Sequence, residues 1–481
     1  MKSAIRLAFS IKYLIIGVFV LSIPHAIGAG FGTFEKPFAA DSLWNSYPVE
    51  PVLSDYQIPP ASGYTPAVQT GNYSTGFFLA KYTDGPVTVK AETPSKGLAD
   101  VDAESYVPSV RIPHWPENVV PAAGSDGHAD IFDPSTGIIH SFFHLRNVNG
   151  EWTASVYAWA KINGTGWGDP AQWYKGVRAT GVPAVAGLIR KHEIEDGDTM
   201  YRHALTMSLA TSALVKYGYY IYPATASDYL GRWNNKGSIP EGSLMMLPNS
   251  FNVDSLKTTE LRKVASTLKT YGAYVTDTNN GVPFVIYVEN GSGFNLHKNG
   301  WNSAAASDLW AISKAMRQVV AAKNWADGNG KPFTPAKNLN LLSMRGPWTL
   351  KLNEDGSIPE AELGIYYPYY QAVMFGKTTA PVVQVKTLDK LSRVTWANPQ
   401  IDKVYHLVAY AANGAKFRFQ ILDKLTNEIT FDSGDMINNQ KMDFKWPTLD
   451  YKAIITVTSG VGNGSWARGT INENIPYQPL K

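Results

Sequence analysis

Three titratable side chains recur at alternate positions in Gly124-Ser-Asp-Gly-His-Ala-Asp-Ile-Phe-Asp-Pro134. If this stretch is extended, Asp126, His128 and Asp130 share one face, with neighbours ~7 Å apart because each strand residue rises ~3.3 Å. Such a row can exchange protons with a substrate or bind a cation. The same residues also read as turn formers. Asp126-Gly127 and Asp133-Pro-Ser-Thr-Gly137 both carry turn chemistry, and a structural calcium loop is a further reading. No other cofactor or metal is expected. His140 and His144 are four apart, but in a strand that spacing is ~13 Å, too long for one metal.

A second carboxylate, Glu289, ends the run Val282-Pro-Phe-Val-Ile-Tyr-Val-Glu, in which Val285, Tyr287 and Glu289 alternate with Phe284, Ile286 and Val288. Glycoside hydrolysis needs two carboxyl groups roughly 5–9 Å apart across the scissile bond. Glu289 with Asp126 or Asp130 is the expected pair, with Tyr287 beside it. Glu241, in Ile-Pro-Glu-Gly, reads as a turn cap. His203 opens a core strand as a structural histidine, or acts with Arg178 on a sugar. In that second setting His203 or His128, with Tyr274 and Arg178, suits proton abstraction next to a uronate carboxylate. Trp115, Trp159, Trp167, Trp173, Trp233 and Trp301 fall in loops and alternating strands. Indole faces stack on the apolar face of a pyranose or fill cores; Trp159 and Trp301 are taken as substrate-binding.

The elements that must position these groups are mostly strands. Gly76–Tyr82, Val87–Ala91, Ile138–Leu145 and Trp152–Ala160 read as strands; the last alternates Thr153, Ser155, Tyr157 and Trp159 against Ala154, Val156 and Ala158. Two helices are expected, one capped by Asp254 and ending near Tyr271-Gly272, the other over Ser303–Ala326. After Gly376-Lys-Thr-Thr-Ala-Pro381 come short, evenly spaced strand-like runs, including Leu391–Trp396. The expected class is mainly β. A jelly-roll or β-sandwich domain with a few helices covers 30–376, and an immunoglobulin- or fibronectin-like sandwich covers 380–481.

Composition bounds the function. The chain has 43 Lys+Arg against 40 Asp+Glu and no cysteine. Thiol nucleophiles, thiolate metal sites and disulfides are therefore excluded. Lys2, Arg6 and Lys12, the apolar run Leu14–Leu21 and the small residues Ala26, Gly28 and Ala29 form the three parts of a secretory signal peptide over 1–29. Those three bases account for the whole excess of +3, so the remaining chain is balanced. Its partner is expected to be a polysaccharide, with no nucleic acid and, after leader removal, no membrane. The expected location is secreted or periplasmic. There is no Gly-x-Ser-x-Gly elbow and no Walker motif.

Phe38-Ala-Ala-Asp-Ser-Leu-Trp-Asn45, Gly124-Ser-Asp-Gly-His128, Arg202-His-Ala-Leu205, Ile239-Pro-Glu-Gly242 and Tyr271-Gly-Ala-Tyr-Val-Thr-Asp277 resemble a group of secreted bacterial β-rich, jelly-roll-like proteins. The resemblance covers about residues 38–290 and implies action on polysaccharides. The expectation is a secreted polysaccharide-degrading enzyme, foremost an endo-acting glycoside hydrolase. A lyase on a uronate polymer and a non-catalytic carbohydrate-binding or adhesion protein are the alternatives. Mass spectrometry of exported protein should find a mature N-terminus at Ala29 or Gly30; an intact Met1 on a membrane-bound species would overturn the leader assignment.

Overall fold

Strands built on alternating or continuous apolar residues dominate the chain, and a mainly β class follows. The computed structural model describes residues 30–473, except 62, 102–104, 169–175, 217–218, 229–232, 336–339, 347, 352–364, 368–370, 390 and 392–397. The leader 1–29, Trp173 and nearly all of the expected strand Leu391–Trp396 lie outside the described residues. No described helix is long and apolar enough to cross a membrane.

Four layers make up the N-terminal part. The central sheet has the order Tyr47–Leu53, Arg317–Ala326, Leu244–Met246, Ala273–Asn279, Leu205–Ala210, Phe284–Tyr287, Ala67–Gln69, with Pro332–Phe333 added to Arg317–Ala326. It is mixed: Leu205–Ala210 runs parallel to Ala273–Asn279 and antiparallel to Phe284–Tyr287, which runs parallel to Ala67–Gln69. One face is covered by helices α1 (Thr259–Thr270) and α2 (Ser303–Ala315). Leu261, Val264 and Leu268 of α1 and Leu309 and Ile312 of α2 pack with Met207, Val275, Ile286 and Val288 of the sheet. Spacings of three and four residues put each apolar set on one helical stripe.

The opposite face carries Tyr274, Val285 and Tyr287, packed with Trp44 and Trp167 and with Phe77, Phe132 and Ile139 of a six-stranded sheet. That sheet's other face, with Ala129, Ile131 and Phe142, packs against Val89, Ala91 and Ile112 of a four-stranded sheet. Alternation does this sorting, because neighbours such as Ile131 and Phe132 point to opposite faces.

Three expected elements differ. The first helix begins at Thr259 with Thr258 as its N-cap, and Asp254, the expected cap, lies in a separate 3-10 turn, Val253–Ser255. The expected strand Trp152–Ala160 is two strands, Glu151–Ala154 in the four-stranded sheet and Val156–Lys161 in the six-stranded one. The chain changes sheets at Ser155, whose N–H donates to the Phe143 carbonyl at 3.2 Å. The second helix stops at Ala315, where Met316 turns to φ −62°, ψ 140°. Arg317–Ala326 is a strand paired antiparallel with Tyr47–Leu53. Its Val319-Val320 pair and the available partner edge outweigh the helix propensity of its alanines.

The C-terminal part is a sandwich of two five-stranded antiparallel sheets. Tyr451–Thr458 alternates buried and half-buried residues along its whole length. The sheets include Thr349–Leu350 and Ala372–Phe375, and Leu341, Leu342 and Met344 enter the same core. The expected division at 376–380 therefore falls inside this core, because Ala372–Phe375 pairs with Ser465–Asn472. We expect a fragment beginning at residue 335 to melt cooperatively and one beginning at 380 not to, since the shorter piece loses the strands Thr349–Leu350, Ile365–Tyr367 and Ala372–Phe375 and the buried side chains of Leu341, Leu342, Met344, Val373 and Phe375, and a large buried apolar side chain is worth about 2–5 kcal/mol. Equal melting of the two fragments by circular dichroism would contradict this.

Candidate functional site

The site forms between the central and six-stranded sheets, around a buried guanidinium. Arg178 lies in a loop closed by its N–H to the Val182 carbonyl (3.1 Å) and by the Gly181 N–H to its own carbonyl (2.9 Å). Gly181 has φ +80°, a conformation that glycine adopts without strain. The Arg178 side chain is fully buried, and its charged end lies 4.2 Å from the centre of the Tyr287 ring. Nη1 and Nη2 donate to the Tyr73 carbonyl at 3.4 and 3.3 Å, and Nη1 to Asp277 Oδ2 at 3.4 Å. Nε has no hydrogen-bond partner among the described residues.

Asp277 reaches this guanidinium because its strand carries a β-bulge. Leu205–Ala210 and Ala273–Asn279 pair in register up to Met207 with Val275, and then Ser208 with Asp277, leaving Thr276 as the extra residue. In unbroken alternation Asp277 would share the face of Val275, which packs under the helices. The bulge returns it to the face of Tyr274 and Tyr287. Thr276 is held in place by Thr180, whose N–H and hydroxyl both donate to its carbonyl at 3.2 Å, and by a 2.6 Å bond between its hydroxyl and that of Thr206.

The opposing wall comes from the segment around Ala129–Asp133. Ala129 and Ile131 face the four-stranded sheet, so His128 and Asp130 face Arg178. Asp126 precedes them in a turn and brings Oδ2 to 3.8 Å from His128 Nε2. Gly127, at φ +50°, completes the turn; a Cβ there would stand 1.7 Å from Nη1 of Arg146, which caps the Gly124 and Ser125 carbonyls. Glu241 closes the far side. Its Oε2 accepts the Asp228 N–H at 3.0 Å, and Oε1 has no hydrogen-bond partner among the described residues.

Protons are retained here. Burial raises Asp130 to about 7 against the pull of the Val185 N–H and of Arg178. Burial also raises Asp277 to about 7; Arg178 opposes this, and the charges of Asp126 and Asp228 reinforce it. Asp277 thus faces an arginine and still holds its proton near neutrality, because burial, reinforced by the neighbouring acids, outweighs the 3.4 Å contact with Arg178. Glu241 rises to about 8 through burial and the charges of Asp277 and Asp228. His128 falls well below its ordinary value, first through burial and then through Arg178, so its ring is neutral at neutral pH. Asp126 and Asp277 have solvent access, their side chains 27% and 19% exposed, and Asp228 is also half-buried.

Asp126, His128, Asp130, Arg178 and Tyr287 therefore meet in one place. Other expected residues stand elsewhere. Glu289 is a counter-ion: its Oε2 accepts from Arg190 Nε (2.9 Å) and the Lys191 N–H (3.0 Å), and its Oε1 faces Lys191 Nζ at 3.5 Å. His203 bonds Glu193 at 3.1 Å beside a small pocket lined by Phe38, Trp44 and Arg190. Burial would lower its pKa, and Glu193 outweighs burial and raises it. Tyr274 is buried edge-on to Trp44 and Trp167, with ring centres 5.2 and 5.1 Å away. Trp159 is buried in the core of the six- and four-stranded sheets, and Trp115 lies in the same core. Trp301 is exposed on a separate groove along the strand Ala67–Gln69. Asp277 and Glu241 are additions to the expected set. Among the described residues no three His, Asp or Glu side chains converge to hold a metal ion.

No family model and no curated protein matches the chain. Partial likenesses occur among solved structures. One is a glycosylation-associated protein complex (Gap123) from Streptococcus agalactiae, at 13% identity over 28% of this chain and 48% of that chain, TM-score 0.19. Another is the complex of accessory secretory proteins 1, 2 and 3 of Streptococcus pneumoniae, at 11% identity over 30% and 99%, TM-score 0.17. A third is TmCBM61 in complex with β-1,4-galactotriose, at 13% identity over 26% and 85%, TM-score 0.16. At these scores the likenesses carry no argument about fold or activity.

The retained protons have a measurable effect on stability. A carboxyl whose pKa is raised by folding contributes stability that is complete below its unfolded pKa and lost as pH rises through its folded pKa. For Glu241 that window runs from 4.5 to about 8. Relative to wild type, Glu241→Gln should gain stability steadily between pH 4.5 and 8, by about 1 kcal/mol or more. Denaturant midpoints at several pH values measure this, and a pH-independent difference would contradict it.

Proposed function

We propose that this chain is a secreted polysaccharide-degrading enzyme, an endo-acting glycoside hydrolase in which Asp277 is the general acid and Asp126 the second carboxyl group. The observation that carries this reading is a partly accessible carboxyl, Asp277, raised to about 7 beside a second accessible carboxyl. Glycosidic bond cleavage needs an acid that still holds its proton at working pH and a carboxyl group that attacks or activates water from the other side. Asp277 gives its proton to the departing glycosidic oxygen. Asp126 attacks the anomeric carbon or takes a proton from the incoming water, and water supplies the hydroxyl of the new reducing end. The neutral His128 ring stands 3.8 Å from Asp126, beyond hydrogen-bond reach. Arg178 holds Asp277 in place through the 3.4 Å contact and is itself held by the Tyr73 carbonyl and the Tyr287 ring.

Hydrolysis is favoured over β-elimination by the position of Arg178. A lyase would turn this cation toward a uronate carboxylate, whereas here it lies fully buried against Tyr287 and already faces Asp277.

Purified protein screened on plant and bacterial polysaccharides should release reducing ends without the ultraviolet absorbance of unsaturated sugars. Turnover should fall as pH rises through about 7, because deprotonation removes the acid. Asp277→Asn and Asp126→Asn should each cost about 10²-fold or more, and Asp277→Asn should also abolish the alkaline fall. Unchanged turnover in both variants, or unsaturated products, would overturn the assignment.

A further inference from the structure

The groove along the sheet edge holds a fixed aromatic platform. Ala67–Gln69 is the last strand of the central sheet. With the loop 294–301 it bounds a groove of about 570 Å³, whose lining includes Tyr64, Gln69, Phe294, Asn295, His297 and Trp301. That volume is within the roughly 300–1,000 Å³ usual for small-ligand sites.

Trp301 stands immediately before Asn302, the cap of α2, whose side chain accepts the Ala304 and Ala305 N–H groups at 3.1 Å. The Asn302 N–H donates to His297 Nδ1 at 2.9 Å, and the His297 N–H donates to Asn295 Oδ1 at 2.7 Å. The His297 ring therefore has a set orientation, and it stacks on the Trp301 indole at 4.8 Å with 8° between the planes. Trp301 is nonetheless 67% exposed. One indole face is pinned by the histidine and the residue is otherwise open, so little conformational entropy remains to be lost on binding. Across the groove Tyr64 is 60% exposed. Its ring lies against Gly281, where a Cβ would stand 3.4 Å away and where φ is +104°.

This lining is specific in its chemistry. Two exposed aromatic rings offer faces for the apolar C–H side of a pyranose. Gln69 and Asn295 offer amides for hydroxyl groups. Among the described residues no Asp, Glu, Lys or Arg lines the groove, which suits an uncharged sugar and not a uronate. The groove also leads toward the carboxyl cluster. Gln69 pairs in register with Tyr287, Gly71 exchanges hydrogen bonds with Asn290, and the Tyr73 carbonyl binds Arg178.

We propose that the groove between Tyr64 and Trp301 binds neutral sugar residues of the polysaccharide substrate, at a distance from the cleavage point. This rests on the hydrolase reading for the identity of the polymer, but its test is separate. Native gels containing hydroxyethylcellulose, xylan, galactan, dextran or mannan, with polygalacturonate as the charged control, report binding without turnover. At least one neutral polymer should retard the full chain. Trp301→Ala should weaken that interaction about tenfold, the loss of roughly one stacking contact. Tyr64→Ala should weaken it less, and Trp301→Phe should restore most of it; an unchanged melting temperature in each variant confirms folding. Asp277→Asn should bind as wild type does. No retardation by any neutral polymer, retardation by polygalacturonate alone, or full binding by folded Trp301→Ala would each overturn the proposal. If Trp301→Ala loses binding while Asp277→Asn and Asp126→Asn keep turnover, the groove stands and the hydrolase assignment falls. Normal binding by Trp301→Ala, with turnover lost in the two carboxyl variants, gives the reverse.

Discussion

One extra residue in one strand determines which face of the central sheet carries its chemistry. Thr276 has no partner in the ladder to Leu205–Ala210, and after it the strand points its side chains the other way. Before the bulge, Ala273 and Val275 belong to the helix-covered core and Tyr274 to the opposite one. After it, Asp277 and Asn279 stand on the side of Ser208 and Tyr287: Asn279 donates to the Ser208 hydroxyl at 3.1 Å, and Ser208 bonds the Tyr287 hydroxyl. The bulge thereby places a carboxyl group against a buried cation instead of under a helix, where an unpaired acid would cost several kcal/mol.

The buried cation organises what remains. A guanidinium removed from water is tolerated only when its donors and charge are met. Arg178 meets them in part, with a backbone carbonyl, an aromatic face and an acid at 3.4 Å, while its Nε has no hydrogen-bond partner among the described residues. Asp126, Asp130, Asp228, Asp277 and Glu241 gather around it, more acids than one positive charge can neutralise. Burial holds protons on three of them: Asp130, Asp277 and Glu241 are all raised, and neighbouring acid charges add to burial at Asp277 and Glu241. An excess of carboxyl groups over cations in a water-poor site gives some of them acid character and leaves others available as bases.

Parts of this arrangement were readable in the sequence. The alternation of His128 and Asp130 placed these two on one face, whereas Asp126 joins them from the turn that Asp126-Gly127 also spells, outside the strand Ala129–Asp133. Asp277 and Glu241 did not stand out. Alternation places Asp277 under the helices, and only the pairing with Leu205–Ala210 reveals the bulge. Glu241 in a Pro-Gly setting reads as a turn, which it also is. Glu289 misled for the opposite reason. Its alternation with Tyr287 was plain, but the counter-ions Arg190 and Lys191 arrive through a bridge between Ile189 and Val288 that local pattern does not show. Trp159 and Tyr274 look like sugar-stacking aromatics because burial depends on what the next layer brings. The strand Arg317–Ala326 reads as helix in the sequence because its partner, Tyr47–Leu53, is remote.

That remote pairing also sets a schedule for the chain. Among the described residues Tyr47–Leu53 is an edge of the central sheet and pairs with Arg317–Ala326, roughly 270 residues later. At ribosomal speeds of ~5–20 residues per second the first strand emerges about 15–60 s before its partner exists. During that interval the sheet cannot close, and contacts of such sequence separation are slow to form even afterwards. The same delay exposes an unpaired strand edge, so rapid production of this protein at high concentration favours aggregation over folding.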